Sequence, residues 1–173
     1  MIKWEGLKDI VLVGHSYAGS VISGVAEQAQ PAISALVFLD AFFPSNGDSV
    51  AGAASQPVRE AIAAALQKGE TTMKPVPAAV FRVNEKDRAW VDAMCTPQPI
   101  ATLTEKATLT GARDRIANKT YIRAAGYPSV PFDAVLNQLK ANSAWRTHEM
   151  PCGHDAMVDM PERLAEILVE AGA

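Results

Sequence analysis

The sequence contains little of what several classes of protein require. Its two cysteines, Cys95 and Cys152, are far apart with no CxxC pair, and its three histidines do not cluster. A disulfide scaffold or a zinc site is therefore not expected, and a reduced, cytoplasmic setting is the expected location. The 16 basic residues against 19 acidic ones give a net charge of −3 without a basic stripe, which argues against a nucleic-acid binder.

Long apolar runs are also missing. No run reaches the roughly 18 residues needed to span a bilayer, so no membrane partner is expected. Residues 1–10 lack the apolar core of a signal peptide, so no secretion is predicted. The chain does contain enough apolar residues for a core, 49% of 173, and we predict one domain over residues 1–173.

Four short apolar runs predict buried strands. Ile10–Val13 and Ile33–Leu39 are nearly continuous in Val, Ile and Leu, a pattern typical of parallel strands that are covered on both faces. Two later runs, Thr120–Ala124 and Trp145–Met150, complete the set. We therefore predict a mostly parallel sheet of about four strands.

Apolar residues at helical spacing lie between and after these runs. They predict helices within Ala18–Ala29, Phe132–Leu139 and Leu164–Ala171. Asp159 and Glu162 have the spacing of a capping box at the start of the last helix. Alternating strands and helices predict an α/β fold in which helices flank the sheet.

No strand pattern is present in residues 44–117. Six prolines interrupt this segment, which also contains an alanine-rich helix pattern at Arg59–Gln67. An insertion of this length between two strands predicts a helical cap over one edge of the sheet. The alternative is a long surface excursion, but four large apolar residues need a place to be buried: Phe81, Trp90, Met94 and Leu103.

The strongest local motif is Gly14-His15-Ser16-Tyr17-Ala18-Gly19, between the first strand and the first helix. A sharp strand-to-helix turn at this point is a nucleophile elbow, which exposes a serine hydroxyl above the sheet. Such a turn needs small residues at Gly14 and Ala18, and alanine here replaces the usual glycine. The alternative is a glycine-rich turn with an incidental serine.

A serine hydroxyl becomes a good nucleophile only when a base takes its proton. His154 is the candidate base, because its loop between the last strand and the last helix lies at the same sheet edge as Ser16. Alternation along the first strand predicts that His15 points away from the turn, and His148 lies inside a strand. Structural roles are therefore predicted for both.

With these motifs the chain resembles the α/β-hydrolase superfamily, in the branch of plant methylesterases, hydroxynitrile lyases and small bacterial esterases. The resemblance rests on the serine motif, on Phe38–Pro44, on Thr96–Pro99 and on Gly153–Met157 with the Pro161-Glu162 pair. It implies that Ser16 is the nucleophile, His154 the general base, and the backbone amide of Tyr17 an oxyanion donor. The implied function is a serine esterase that cleaves small carboxylic esters through an acyl-enzyme, without cofactor or metal.

The chain departs from the family pattern at its start. Family members normally carry strands before the nucleophile strand, with a loop that supplies a second oxyanion amide, whereas Met1 lies only about nine residues before this strand. The expected fold is therefore a truncated α/β-hydrolase fold with an uncovered apolar edge at Val11–Val13. Because proteins avoid such edges, a homodimer that covers it is predicted.

The acid of the triad is the second departure. Where the family usually has an aspartate, in the loop after the third strand, this chain has Tyr127. Asp40, at the end of the second strand, is the predicted substitute, although a structural role in the loop is an equal alternative. Asp133 is the second candidate and is more typical of the first turn of a helix, and Asp155 is expected to support the histidine loop.

Four apolar residues are candidates for lining an acyl pocket under the cap: Phe42, Trp90, Met94 and Met157. Aromatic residues and methionines are, however, more often ordinary core. Two other functions stay open. One is a hydrolase-like binding domain that has lost efficient turnover, and the other is a hydroxynitrile lyase, which is disfavoured because lyases of this branch tend to carry a lysine where this chain has Asp155.

Overall fold

The computed structural model describes all 173 residues as alternating strands and helices. In chain order these are β1 (Ile10–His15), α1 (Ala18–Ala29), a 3₁₀ turn (Gln30–Ala32), β2 (Ile33–Leu39), α2 (Val50–Ala53), α3 (Gln56–Gln67), β3 (Thr72–Met73), α4 (Glu85–Met94), β4 (Gln98–Pro99), α5 (Ile100–Thr104), a 3₁₀ turn (Arg113–Arg115), β5 (Asn118–Ala124), α6 (Val130–Lys140), β6 (Arg146–Met150), α7 (Ala156–Asp159) and α8 (Pro161–Gly172). None of these helices has the length and apolar character that a bilayer span requires.

The main sheet has four parallel strands in the order β1-β2-β5-β6. His15 pairs with Leu39, and Leu39 pairs in turn with Ile122, so β1 and β2 end side by side and β5 ends close to them. The predicted α/β fold with a four-stranded, mostly parallel sheet is confirmed. This register brings the loops after the strands to one edge of the sheet.

The core lies on both faces of the sheet, because the side chains of β2 alternate between them. Phe38 packs with Ile22 of α1 on one face, and Val37 packs with Leu164 of α8 on the other. Phe38 and Val37 are fully buried. This two-sided burial explains the nearly continuous apolar pattern of β2.

The segment between β2 and β5 contains four helices, of which α3 matches the predicted alanine-rich helix. It also contains two strands that the sequence did not predict. These strands, β3 and β4, form an antiparallel pair of two residues each, which is too short to show a pattern of alternation. Small apolar clusters hold the segment together, one of them formed by Ile62, Ala65 and Ile100. Below, this segment is called the cap.

The predicted capping box at the start of α8 is wrong. The helix begins after Met160, which makes no side-chain cap. The Asp159 carboxylate instead accepts hydrogen bonds from the backbone amides of Gly153, at 2.8 Å, and Asn84, at 2.9 Å. Asp159 therefore connects the loop before α7 to the cap.

β1 lies at the edge of the sheet and pairs with a strand on one side only. Val13 is 38% exposed on this strand. Together with Val11 and with Leu168 and Val169 of α8, it lines a shallow apolar concavity. The unpaired backbone and the apolar side chains thus share one surface, which is called the β1 edge below.

Candidate active site

Ser16 occupies a sharp turn between β1 and α1. Its backbone is left-handed, with φ of 54°, a conformation that costs a non-glycine residue about 1–2 kcal/mol. Its amide donates to the carbonyl of Leu39 at 3.1 Å, and its carbonyl accepts from the amide of Phe42 at 3.1 Å. The strained turn is therefore held in place by the end of the neighbouring strand.

Two glycines allow this turn to pack closely. A Cβ atom at Gly14 would lie 2.6 Å from the carbonyl oxygen of Ala18, and one at Gly19 would lie 2.1 Å from that of Phe42. Both distances are far below ordinary contact. The second small residue that the turn requires is thus Gly19, one position later than the usual motif suggests.

His154 is hydrogen-bonded to Asp40 in the interior of the protein. Nδ1 of His154 lies 2.6 Å from Oδ2 of Asp40, and the two residues are 2% and 0% exposed. Because an ionised carboxylate only accepts hydrogen bonds, Nδ1 carries the proton and Nε2 presents its lone pair. The backbone of His154 is fixed as well, since its amide donates to the carbonyl of Phe81 at 2.8 Å.

Asp133, the other candidate acid, lies elsewhere. It is in the first turn of α6, and its half-exposed carboxylate accepts a hydrogen bond from Nε of Arg123 at 2.8 Å. Of the two candidates, the structure therefore brings only Asp40 into contact with His154. The ring of Tyr127, at the usual family position of the acid, packs against the imidazole of His154 with the ring centres 4.9 Å apart.

Ser16 and His154 lie at the same edge of the sheet, but no hydrogen bond joins the two side chains. Asp40, which follows β2 in register with Ser16, holds His154 from one side. The ring of His15, the residue before Ser16, lies 4.4 Å from the ring of His154 on another side. In unliganded enzymes the bond between nucleophile and base is often long or poorly aligned, so this arrangement is compatible with proton transfer.

His15 contacts the histidine loop, so the prediction that it points away from the turn is wrong. Its Nε2 lies 3.0 Å from the carbonyl oxygen of His154 and must donate to it. Burial, reinforced by the proximity of His154, lowers the pKa of His15 to about 4. His15 is therefore neutral near pH 7 and supports the loop through its hydrogen bond.

Asp155 lies close to His15. Its carboxylate lies 3.8 Å from Nε2 of His15, and burial raises its pKa. His15, His154 and Asp155 place possible ligand atoms within 4.8 Å of one another, so these three residues could hold a metal ion. In this structure Nδ1 of His154 and Nε2 of His15 are already engaged by Asp40 and by a backbone carbonyl.

Three aromatic rings surround the imidazole of His154, and the sequence predicted none of them as site residues. Phe81, Tyr127 and Phe132 have ring centres 4.8, 4.9 and 5.8 Å from that of His154. They come from the cap, from the loop after β5 and from α6. No local motif connects these three segments, so the sequence carried no signal for the cluster.

The four predicted pocket residues lie further out. Phe42 packs edge-on against Phe132, with ring centres 5.1 Å apart, and so contacts the aromatic cluster. Trp90 and Met94 are exposed on α4, at 59% and 65%, so the expectation that they are buried is wrong. Met157 is 39% exposed in α7. As pocket residues these four stay predictions.

The backbone amide of Tyr17 lies at the N-terminus of α1, directly after Ser16. None of the backbone hydrogen bonds outside the helices and strands is donated by this amide. The positive end of the helix dipole adds to its attraction for negative charge. The amide therefore has no hydrogen-bond acceptor within the protein.

Known proteins resemble this chain along almost its whole length. A sequence model of the alpha/beta hydrolase family matches residues 2–167. A carbendazim-hydrolysing esterase from Nocardioides sp. (strain SG-4G) is 39% identical over 180 residues, which cover 99% of this chain and 74% of that protein.

Solved structures give the same result. An extracellular alpha/beta-hydrolase from a Paenibacillus species superposes with a TM-score of 0.83 at 28% identity, over 99% of this chain and 75% of that one. A methylesterase from Arabidopsis superposes with a TM-score of 0.70 at 18% identity, over 95% of this chain and 69% of that one. The second likeness shows the fold alone.

Proposed function

Because the chain belongs to the alpha/beta-hydrolase family, in its esterase branch, we propose that it is a serine esterase that cleaves small carboxylic esters through an acyl-enzyme. In this proposal Ser16 is the nucleophile, His154 the general base and Asp40 the acid. The observation that supports it most strongly is the buried 2.6 Å contact between Nδ1 of His154 and Oδ2 of Asp40.

That contact has a direct chemical consequence. With the proton held on Nδ1, Nε2 of His154 is the atom that accepts the proton of the Ser16 hydroxyl as the hydroxyl attacks the ester carbonyl. The imidazole then becomes positively charged, and the negative charge of Asp40 stabilises it. The same proton passes to the alcohol as it leaves, and a water molecule later releases the acid by the same route.

The tetrahedral intermediate carries a negative oxygen that needs hydrogen-bond donors. The free amide of Tyr17, at the N-terminus of α1, is the donor that we assign to it. One donor of this kind is typically worth about 2.7–4 kcal/mol of transition-state stabilisation. Because the left-handed backbone of Ser16 fixes the turn before Tyr17, this donor is oriented before substrate arrives.

A fluorophosphonate probe and a short-chain p-nitrophenyl ester test the proposal. We expect the wild type to be labelled at Ser16 and to hydrolyse the ester, and we expect Ser16→Ala and His154→Ala to lose both reactions. A wild type that is neither labelled nor faster than these variants would refute the esterase function. The chain would then be a hydrolase-like binding domain.

The same assay addresses the substrate. A relative with 39% identity hydrolyses carbendazim, so carbendazim is the second substrate to be offered. Carbendazim turnover that depends on Ser16 would add carbendazim to the proposed substrates. Turnover of the p-nitrophenyl ester alone would restrict them to simple esters.

A further inference from the structure

Arg123 is a buried arginine directly behind the carboxylate of Asp40. It lies in β5 and is 2% exposed. Its guanidinium donates to four acceptors: Oδ1 of Asp40 at 2.8 Å, Oδ1 of Asp133 at 2.8 Å, the carbonyl of Ala124 at 2.5 Å and the carbonyl of Tyr127 at 2.6 Å. Every nitrogen of the guanidinium is therefore engaged, as a buried charge requires.

These contacts divide the carboxylate of Asp40 into two sides. Oδ1 accepts from Arg123 and from the backbone amide of Ala124, at 3.1 Å, while Oδ2 accepts from His154 alone. A carboxylate held on one side by two donors cannot rotate without breaking both bonds. The orientation of Oδ2 toward His154 is thus fixed from behind.

Arg123 also balances charge at the site. Burial by itself would lower the pKa of Arg123, but Asp40 and Asp133 together raise it, so the guanidinium stays charged. Arg123 is therefore a buried cation between two carboxylates, those of Asp40 and Asp133.

We propose that Arg123 is a positioning residue of the catalytic site, one that holds the carboxylate of Asp40 oriented toward His154. This inference rests on the proposed esterase function and adds to it. Arg123 is not itself a catalytic residue, because its contacts are with Asp40, Asp133 and two backbone carbonyls. Its effect reaches the reaction through Asp40.

Several other ionisable groups face the pair of Asp40 and His154. They are His15 from β1, Tyr121 from β5, Tyr127 from the loop after β5, and Cys152 and Asp155 from the segment after β6. Apart from His154, Arg123 is the only basic side chain that contacts the Asp40 carboxylate. Replacing Arg123 by an uncharged residue therefore removes one positive charge from beside Asp40.

The test is steady-state ester hydrolysis by Arg123→Met and Arg123→Lys. For Arg123→Met we expect kcat to fall by about 10- to 100-fold, because Asp40 loses the donor that orients it, with KM nearly unchanged. Arg123→Lys retains a charge without the fork of donors, so we expect kcat to recover only in part.

Two control variants separate positioning from general damage. Arg113→Met removes another buried arginine, which binds the carbonyl of Pro44 and stacks on Phe43 but does not contact Asp40. Asp133→Asn removes the outer partner of Arg123. Both variants leave the donors to Asp40 in place, so we expect kcat to stay close to the wild-type value.

Proton NMR provides a readout that does not depend on turnover. The Nδ1 proton of His154, hydrogen-bonded to Asp40, gives a low-field signal, and we expect Arg123→Lys to shift or broaden it. An unchanged signal, or an unchanged kcat in both Arg123 variants, would overturn the inference. A wild type without activity dependent on Ser16 would instead overturn the proposed function, and the NMR signal would still decide whether Arg123 positions Asp40.

Discussion

Ser16 and Asp40 occupy matching positions on neighbouring strands, and both have a left-handed backbone. Each directly follows the last residue of its strand, and their φ angles are 54° and 42°. Since His15 and Leu39 are paired in the sheet, the two residues leave it side by side. The strain is held by the backbone bonds from Ser16 to Leu39 and from Asp40 to Ile122, which is typical of functional sites.

The identity of the acid is tested by Asp40→Asn against Asp133→Asn. The amide of asparagine cannot stabilise an imidazolium and favours the wrong tautomer of His154, so kcat should fall by about 10³- to 10⁴-fold. Asp133 contacts only Arg123 and is half-exposed, so Asp133→Asn should cost less than about threefold. Steady-state ester hydrolysis measures both, and two variants as active as the wild type would reject Asp40.

The tight packing of the elbow is tested with two glycines of α1. Gly19→Ala places a methyl group against the carbonyl of Phe42 and should destabilise the protein by about 1–3 kcal/mol. Gly24→Ala is the matched control, because nothing lies within 4 Å of its Cβ position. It should stabilise the protein by about 0.5–1 kcal/mol through helix propensity.

Urea unfolding gives both free energies of unfolding, and the rate of labelling by the fluorophosphonate probe reports the geometry of the serine turn. Equal stability of the two variants would show that the turn has more room than the structure indicates.

The low pKa of His15 predicts a loss of stability at acid pH. The unfolded chain binds this proton near pH 6.5 and the folded protein only near pH 4, so stability falls as pH falls through that window. Between pH 7 and pH 5 this one group removes about 2 kcal/mol of the free energy of unfolding.

His15→Gln is the variant for this measurement, because its amide can still donate to the carbonyl of His154 but does not titrate. Urea unfolding of both proteins at pH 7 and pH 5 should show a smaller loss for the variant. Parallel losses would exclude His15 as the source.

We further propose that a second copy of the chain covers the β1 edge. Two β1 strands related by a two-fold axis pair in antiparallel fashion, which satisfies their free backbone groups and buries Val13. Light scattering at micromolar concentration should give about twice 18.4 kDa.

Val13→Lys should convert this dimer to a monomer, because lysine on an edge strand opposes pairing. Val58→Lys, at an exposed valine of α3 in the cap, is the control and should leave the mass unchanged. A monomeric wild type would contradict the proposal.

The parts of the fold that leave a local pattern in the sequence could be predicted from it. The apolar run of β2 and the stripe of α1 follow from burial, and the serine turn follows from small residues between a strand and a helix. The environment of His154 could not be predicted in this way. Phe81 and Phe132 reach it from distant segments, and a single arginine in an apolar strand, Arg123, carries no local sign of its partner.

Two wrong predictions have the same physical cause. The alternation of side chains along the first strand predicted that His15 points away from the serine turn. The spacing of Asp159 and Glu162 predicted that Asp159 caps the last helix. In the structure His15 donates to the carbonyl of His154, and Asp159 accepts from the amides of Gly153 and Asn84. Backbone groups in loops compete for such side chains, and only tertiary structure shows which of them are near.

The bonds between the cap and the histidine loop restrict how substrate can enter. Phe81 accepts from the amide of His154, and Asp159 joins Gly153 to Asn84 on the same side. An outward movement of this part of the cap would break these bonds and displace His154 from Asp40. Under the proposed function, the substrate entrance is therefore expected on another side of the cap, where opening leaves the contact between His154 and Asp40 intact.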